Sequence, residues 1–441
     1  MVDFESDLPE VKEILANRLT NAITEITGRL DMMDRRFESM ESNMNRMTEI
    51  LARIEANQFS GKAERRVAAM EVFRDLPREL VEEEILTHVP AKYLKGLGST
   101  CKLWNSLFTG DGRFGRKHFD KAAKQFVVLM LTKFCRICPA IVDLDGKVPT
   151  FEVKPELSLV DPQSKYPGAQ FDVYRVVHCD GLLLCTCKDG SRFVVWNPLT
   201  GETRWFQPGS GGTVLRGFTL GYGKNKSYKI LSYYRGFTLQ YSSITASLQG
   251  SSYWFGIDAT KPVTISCLVK FDFSTEKFVP VAIPYPSQPV CRFEVSRLTN
   301  VKDERLSLLV QVEETSKTEI WVTNKIDETN NQVVSWTKVL ALDLSPHNDV
   351  QVSDDGSFVF VEEKKVVVIS ETWIDFEAED ENDVPSKEMI YIAGEDNVVT
   401  QVDFGPDEAN PCVSGIFHYV PSLVQMEQAG GKRKRAEISE H

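Results

Sequence analysis

Residues 193–206 read FVVWNPLTGETRWF. An apolar run ends at Trp196, a turn of Asn, Pro, Thr and Gly follows, and the returning run carries Trp205. Four β-branched or aromatic residues before Asn197-Pro198 and Thr200-Gly201 specify a strand, a stop and a return, which together make a β-hairpin. The design recurs in LVKFDFSTEKFVPV (268–281) and EIWVTNKIDETNNQVVSWTKVL (319–340), and later hairpins are expected around Asp355-Gly356 and Gly394 to Asn397. Degenerate repeats of one hairpin imply a propeller-like array whose radial packing buries aromatics between blades. Six tryptophans, at 196, 205, 254, 321, 336 and 373, fall in or beside these predicted strands. From Phe126 onward the chain keeps this texture of short apolar runs bounded by Gly, Pro, Asn and Asp.

Upstream the spacing becomes helical. Between Val72 and Lys124, Pro77 follows Asp75 near a helix start, and Leu80, Val81, Ile85, Leu86 and Val89 share one side until Pro90 breaks the run. A second helix is predicted from Ala91 and a third from about Ser99. Further upstream, Leu19, Ile23, Ile26, Leu30, Met33, Phe37, Met40, Met44, Met47, Leu51 and Ile54 are spaced four and three without a break. That is a coiled-coil seam, and it predicts a homo-oligomer. In a parallel dimer Arg29 faces Asp34 and Arg36 faces Glu41, both pairs of opposite sign. The Met-rich seam leaves the oligomer order open.

Composition narrows the function. Against 51 Lys and Arg stand 63 Asp and Glu, a net charge of -12, which disfavours nucleic acid as the main partner. The longest aliphatic and aromatic stretch, Phe126 to Leu131, falls far short of the ~20 residues of a membrane helix. The acidic start has no apolar signal region, and nine cysteines, an odd number, suit reduced thiols. The expectation is a soluble chain of the nucleus and/or cytoplasm. Lys432, Arg433, Lys434 and Arg435 read as a nuclear import signal in a basic tail, and Glu377 to Asp383 as a solvated acidic loop.

No catalytic, cofactor or metal constellation emerges. Cys135 and Cys138 form a CxxC with no second pair at zinc spacing. Cys185 and Cys187 alternate on one strand face, the six histidines are scattered, and Gly221 and Gly223 lack the third glycine of a dinucleotide loop. Asp272 and Asp355 read as turn residues.

DLPRELVEEEILTHVPAKYLKGLGSTCKLWNSLF (75–108) resembles the F-box, through its Leu76-Pro77 start, its Val89-Pro90-Ala91-Lys92 break, and Ser99 to Lys102 followed by Trp104-Asn105. VVWNPLTGETRW (194–205), LGYGKNKSYKIL (220–231), SLQGSSYWF (247–255), VKFDFSTEKF (269–278) and LSLLVQVEETSKTEIWVTNKI (306–326) are similar, in order, to motifs of the plant F-box-associated interaction domain. The resemblance implies the substrate-recognition subunit of a Skp-cullin-F-box ubiquitin ligase, not itself an enzyme, with the β domain holding an unknown target protein. The implied adaptor contacts are Leu76, Pro77, Leu80, Ile85, Leu86, Val89, Pro90, Leu97, Cys101 and Trp104, with leucines and the tryptophan left at the surface of a module too small to bury them.

Departures from the family pattern are a third glutamate among Glu82, Glu83 and Glu84, glycines at 96 and 98, and a missing strand pair between Ile230 and Ser247. An inserted residue swings Ile85 and Leu86 by ~100°, and each helical glycine costs roughly 1 kcal/mol, so weakened adaptor binding is expected. The alternative is a coiled-coil scaffold or adaptor with a degenerate, non-ligase F-box. The expected fold is multidomain α+β: a coiled-coil helix (10–57), a linker (58–71), a small all-α F-box module (72–118), a large all-β propeller-like domain (119–422) and a disordered basic tail (423–441).

Overall fold

The computed structural model describes residues 78–100, 102–110, 112–207, 216–234, 246–258, 265–284, 294–301, 305–312, 317–326, 334–344, 356–374, 386–407 and 414–426. The coiled-coil seam, the linker, Leu76, Pro77, Cys101, Asp355, the acidic stretch and the import signal lie outside the described residues. The chain divides into two compact units; among the described residues the first takes in 78–89 and 93–108, and the second 90–92 and the residues from 109 onward.

In the first unit, α1 (Arg78–Leu80) runs directly into a π-helical turn at Val81–Ile85. After Pro90 come α2 (Ala91–Thr100) and α3 (Lys102–Thr109). Ser99 and Thr100 therefore end the second helix instead of starting the third. The π turn corrects the expected rotation of the apolar face. The Leu86 N–H reaches the Val81 carbonyl at 2.8 Å, an i to i+5 bond that takes one extra residue into the turn. Ile85 and Leu86 stay 1 % and 0 % exposed despite the third glutamate. Gly98 is also accounted for: a Cβ there would sit 3.1 Å from the Phe108 ring, so the glycine lets the two helices close on that phenylalanine.

The second unit opens with α4 (Arg113–Lys121), which crosses the boundary expected at 118. The first sheet holds β1 (Val127–Leu131), β2 (Ile137–Asp143) and β3 (Thr150–Val153). The second is β4 (Arg175–Cys179), β5 (Leu182–Thr186), β6 (Phe193–Trp196) and β7 (Thr203–Phe206). β8 (Arg216–Tyr222) and β9 (Tyr228–Tyr234) pair alone among the described residues. Next come β10 (Ala246–Leu248), β11 (Ser251–Asp258), β12 (Ile265–Asp272) and β13 (Lys277–Val281). They are followed by β14 (Glu294–Val301), β15 (Arg305–Val312), β16 (Lys317–Thr323) and β17 (Trp336–Asp343). The last full set is β18 (Ser357–Val361), β19 (Val366–Ile374), β20 (Ser386–Gly394) and β21 (Val399–Asp407). β22 (Gly415–Tyr419) returns to pair with β1, so among the described residues five sheets have four antiparallel strands.

All three quoted hairpins form, as β6–β7, β12–β13 and β16–β17. The Gly394 to Asn397 turn joins β20 to β21, its Asn397 N–H bonding the Gly394 carbonyl. The hairpin expected at Asp355-Gly356 is displaced: Gly356 precedes β18, and the turn between β18 and β19 falls at Glu362–Lys365. All six tryptophans lie in strands.

The side-chain period of two explains why these sheets stand around a ring. In β19 and β20, Val367, Ile369, Met389, Tyr391 and Ala393 face the β14–β17 sheet. Val368, Ile390 and Ile392 face β1, β3 and β22. The second sheet divides likewise, Leu183, Cys185, Val194 and Trp196 packing on the first sheet and Leu182, Leu184, Phe193 and Val195 on β8 and β9. Leu231 of β9 meets Trp254 and Phe271, and Leu298, Leu306 and Leu308 meet Leu248 and Leu268, so neighbour follows neighbour until the ring closes. Strands buried on both faces read as apolar runs such as LLLC and VVVI, not as apolar–polar alternation.

Candidate functional site

Of the ten adaptor-contact candidates, Leu80 lies in α1 and Leu76, Pro77 and Cys101 fall outside the described residues. Ile85, Leu86, Val89, Leu97 and Trp104 are buried within the chain, and Pro90 is half-buried. For Leu86, Leu97 and Trp104 this corrects the expectation of surface exposure. The described outer face is polar, with Glu83, Glu84, His88, Lys95 and Lys102 exposed beside Leu103. The Thr87 hydroxyl closes the end of the π turn by donating to the Glu83 carbonyl at 2.9 Å.

In the second unit, β4, β10, β14, β18 and β22 converge on a central cavity of about 100 Å³. Its wall includes His178, His418, Arg175, Asn300, Ser247 and Ser357. His178 Nε2 accepts the Gly181 N–H at 3.0 Å, which places its proton on Nδ1. His418 Nδ1 donates to the Asn300 carbonyl at 3.0 Å, leaving Nε2 as an acceptor. Burial pushes His178 down to about 3, with His418 adding to the effect, and burial lowers His418 as well. Both rings are therefore neutral at physiological pH. The serines serve the fold: Ser357 Oγ takes the Ile416 N–H at 2.7 Å and Ser414 Oγ bonds Thr372 Oγ1 at 2.8 Å. No group of three or more His, Cys, Asp or Glu among the described residues is placed to hold a metal. The histidines are scattered along the sequence, and the ring topology brings 178 beside 418.

At one rim the chain past β22 forms a strap, 420–426, in which Val420, Ser422, Leu423, Val424 and Met426 are buried. The boundary expected at 422 therefore moves outward, because Val424 and Met426 have apolar partners in the propeller. Asn197, fully buried, holds the strap. Its Nδ2 donates to the Ser422 and Val424 carbonyls, both at 3.0 Å, while Oδ1 accepts the Leu199 and Thr200 N–H groups at 2.9 and 3.2 Å. Ser422 Oγ donates to the Asp180 carbonyl at 2.7 Å. α4 lies on the strap: any side chain at Gly115 would strike the Leu423 carbonyl, and Phe119 packs in the cluster that contains Val424. Beneath, burial pushes the Asp180 carboxyl up, opposed by hydrogen bonds from Tyr222 and Tyr228. The Asn of the first quoted hairpin was legible as a turn residue, but its second role as a clamp was not.

Among the described residues, Cys135, Cys138, Cys179, Cys185 and Cys187 are free thiols. Cys185 and Cys187 contribute to one core cluster, as their alternation predicts, and burial pushes the Cys185 thiol far up. Cys135 sits in the β1–β2 turn at φ 58 and Cys138 in β2, and neither is in a disulfide. Gly221 lies where a Cβ would strike the Gly250 carbonyl and the Phe273 ring, a packing role unrelated to nucleotides. Asp272 Oδ1 accepts the Ser274 and Thr275 N–H groups at 2.7 and 3.3 Å, the turn role expected.

No helix among the described residues is long and apolar enough to cross a membrane. Residues 127–244 and 235–426 match the F-box associated beta propeller domain. F-box protein ETP2 of Arabidopsis thaliana is 50 % identical over 394 residues, covering 82 % of this chain and 98 % of that protein. From the same plant, the F-box/kelch-repeat protein At3g44120 is 48 % identical, with 82 % and 98 % covered, and F-box protein ETP1 is 43 % identical, with 82 % and 99 % covered. Among solved structures, the β-propeller domain of Myceliophteria thermophila Cps50 (Swd1) aligns over 63 % of this chain and 85 % of its own at 11 % identity, with a TM-score of 0.29. The sheet ring and these relatives together establish that the chain belongs to the F-box proteins that carry an F-box-associated β-propeller domain.

Proposed function

We propose that the protein is the substrate-recognition subunit of a Skp-cullin-F-box ubiquitin ligase. The observation that carries this reading is the alignment with F-box proteins over 98 % of their own length, which takes in more than the propeller. The helical unit docks the Skp-type adaptor and through it the cullin, and the propeller holds the target. The chain is non-catalytic: tethering a target beside the ubiquitin-loaded enzyme raises its effective concentration without a reacting group here. The heptads of residues 19–54 make the receptor a homo-oligomer that presents more than one target site. Lys432 to Arg435 direct it to the nucleus, with a cytoplasmic pool.

The π turn removes one support for a degenerate module, because the inserted glutamate leaves Ile85 and Leu86 buried. The test is capture of a purified Skp-type adaptor by the full chain, compared with a Leu76→Ala, Pro77→Ala double variant. Capture that the variant loses supports the proposal. A folded wild-type chain that captures no adaptor refutes it.

A further inference from the structure

The central cavity carries more hydrogen-bonding capacity than the fold uses. Arg175, Ala246, Ser357 and Gly415, the first residues of β4, β10, β18 and β22, all line it, so it occupies the half of the channel where the inner strands begin. The other half is closed toward the strap, where His178 Nε2 takes the Gly181 N–H at 3.0 Å and the Val420 N–H at 3.5 Å. The volume of about 100 Å³ is several times the ~10–15 Å³ that one water needs, and short of the ~150 Å³ that takes a benzene ring.

Four polar atoms of residues on its wall have no hydrogen-bond partner among the described residues. Because His178 Nε2 accepts, the ring proton sits on Nδ1, and that N–H is left unused. His418 Nδ1 donates to the Asn300 carbonyl, which leaves Nε2 an unused acceptor. Asn300 Nδ2 donates to the Ser247 carbonyl, which fixes the orientation of the amide and leaves Oδ1, buried, without a donor. Thr299 is 9 % exposed and its hydroxyl makes no hydrogen bond to the described residues. Buried polar groups are normally paired, so four unpaired ones around one cavity call for a ligand.

The set names the ligand's chemistry. It offers two acceptors, His418 Nε2 and Asn300 Oδ1, and two donors, the His178 Nδ1–H and the Thr299 hydroxyl. A primary carboxamide is the complement: two N–H donors, and a carbonyl oxygen with two lone pairs. Leu131, Val176, Leu298, Ile416 and Phe417 add an apolar wall that water gains nothing from and a short hydrocarbon body fills. A charged ligand fits worse. A carboxylate has no proton for the two acceptors, an ammonium has no lone pair for the two donors, and burial keeps both imidazole rings neutral. Arg175, the charged residue of the wall, is engaged within the protein, its guanidinium also lying 5.6 Å from the Tyr174 ring.

We propose that the central channel binds a small uncharged carboxamide with a short apolar body, its N–H groups on His418 and Asn300 and its carbonyl oxygen on His178 and Thr299. The inference goes beyond the receptor reading and does not depend on it, since every group it uses belongs to the propeller.

The test titrates the full chain with isobutyramide as probe, beside isobutyrate, isobutylammonium and methyl isobutyrate, an ester that accepts hydrogen bonds but donates none. Methyl NMR of labelled protein follows Leu131, Val176, Leu298 and Ile416 in each titration. The expected result is saturable binding of isobutyramide at millimolar concentration, with shifts concentrated on those four residues, and at least tenfold weaker binding of the other three compounds. Thr299→Val keeps the side-chain shape and removes a hydroxyl that the fold does not bond, so the variant should fold as wild type and bind isobutyramide at least threefold more weakly. Val398→Ser, on the exposed β20–β21 turn, should bind as wild type. No saturable binding of isobutyramide, equal or tighter binding of any of the other three, shifts away from the channel, or an affinity unchanged by Thr299→Val overturns the proposal. None of these readouts involves the adaptor, so failure here leaves the receptor assignment standing, and failed adaptor capture leaves the channel site standing.

Discussion

Asn197→Ala tests how the ring and its strap are held. The substitution removes four hydrogen bonds, two to the strap carbonyls of Ser422 and Val424 and two to the turn amides of Leu199 and Thr200. At about 1 kcal/mol per bond, and more where a buried group is left unpaired, the loss is about 3–5 kcal/mol. That is a large part of the ~5–15 kcal/mol of a typical domain. Asn197→Asp separates the two halves of the role: it keeps the turn acceptors but sets a buried carboxylate against two carbonyl oxygens. It should therefore be at least as destabilising at pH 7 as alanine, and partly relieved in mild acid, where the carboxyl protonates and can donate one bond. Urea unfolding gives the magnitude, and hydrogen exchange at 422–426 locates it, since the strap should open before the sheets. A loss under about 0.5 kcal/mol, with unchanged strap exchange, would refute the clamp.

Further outcomes follow from the same structure. Because burial lowers His178 to about 3, the unfolded chain binds a proton below about pH 6.5 that the fold refuses. Stability should therefore fall by ~1.4 kcal/mol per pH unit for that group as pH drops from 6 toward 4, with His418 adding to it; His178→Gln should reduce the slope in urea titrations, and an unchanged slope contradicts the assignment. Deleting Glu83 should let the π turn close to an α-helix at a cost under about 1 kcal/mol, whereas inserting an alanine after Glu83 should swing Ile85 and Leu86 out, at ~1.5–3 kcal/mol each. Thermal unfolding of both full-length variants decides this, equal losses counting against the π-turn account. Ending the chain at residue 413 removes β22 and the strap, leaves β1 as an open edge, and should abolish cooperative unfolding by circular dichroism.

The sheets were legible because each hairpin writes its own turn: Asn197, Asp272 and the Gly394–Asn397 segment stop strands by local chemistry. Gly356 was misread because a glycine marks an inter-blade connection as readily as a hairpin, and only pairing tells them apart. The third glutamate was legible as an insertion, but its outcome was not, because a helix can rotate or widen and the buried Ile85 and Leu86 decide which. The proximity of His178 and His418 depends on ring closure between residues far apart in sequence. No local pattern records it. The boundary expected at 422 moved for a similar reason: Leu423 and Val424 look like an ordinary terminus until Asn197 and α4 are placed beside them.

The most direct test of the receptor assignment is isothermal titration of a purified Skp-type adaptor into the full chain, with the Leu76→Ala, Pro77→Ala variant alongside. The account predicts saturable binding of one adaptor per receptor chain and its loss in the variant. A folded wild-type chain that gives no binding heat at any temperature tried, and no co-elution with the adaptor, would contradict it.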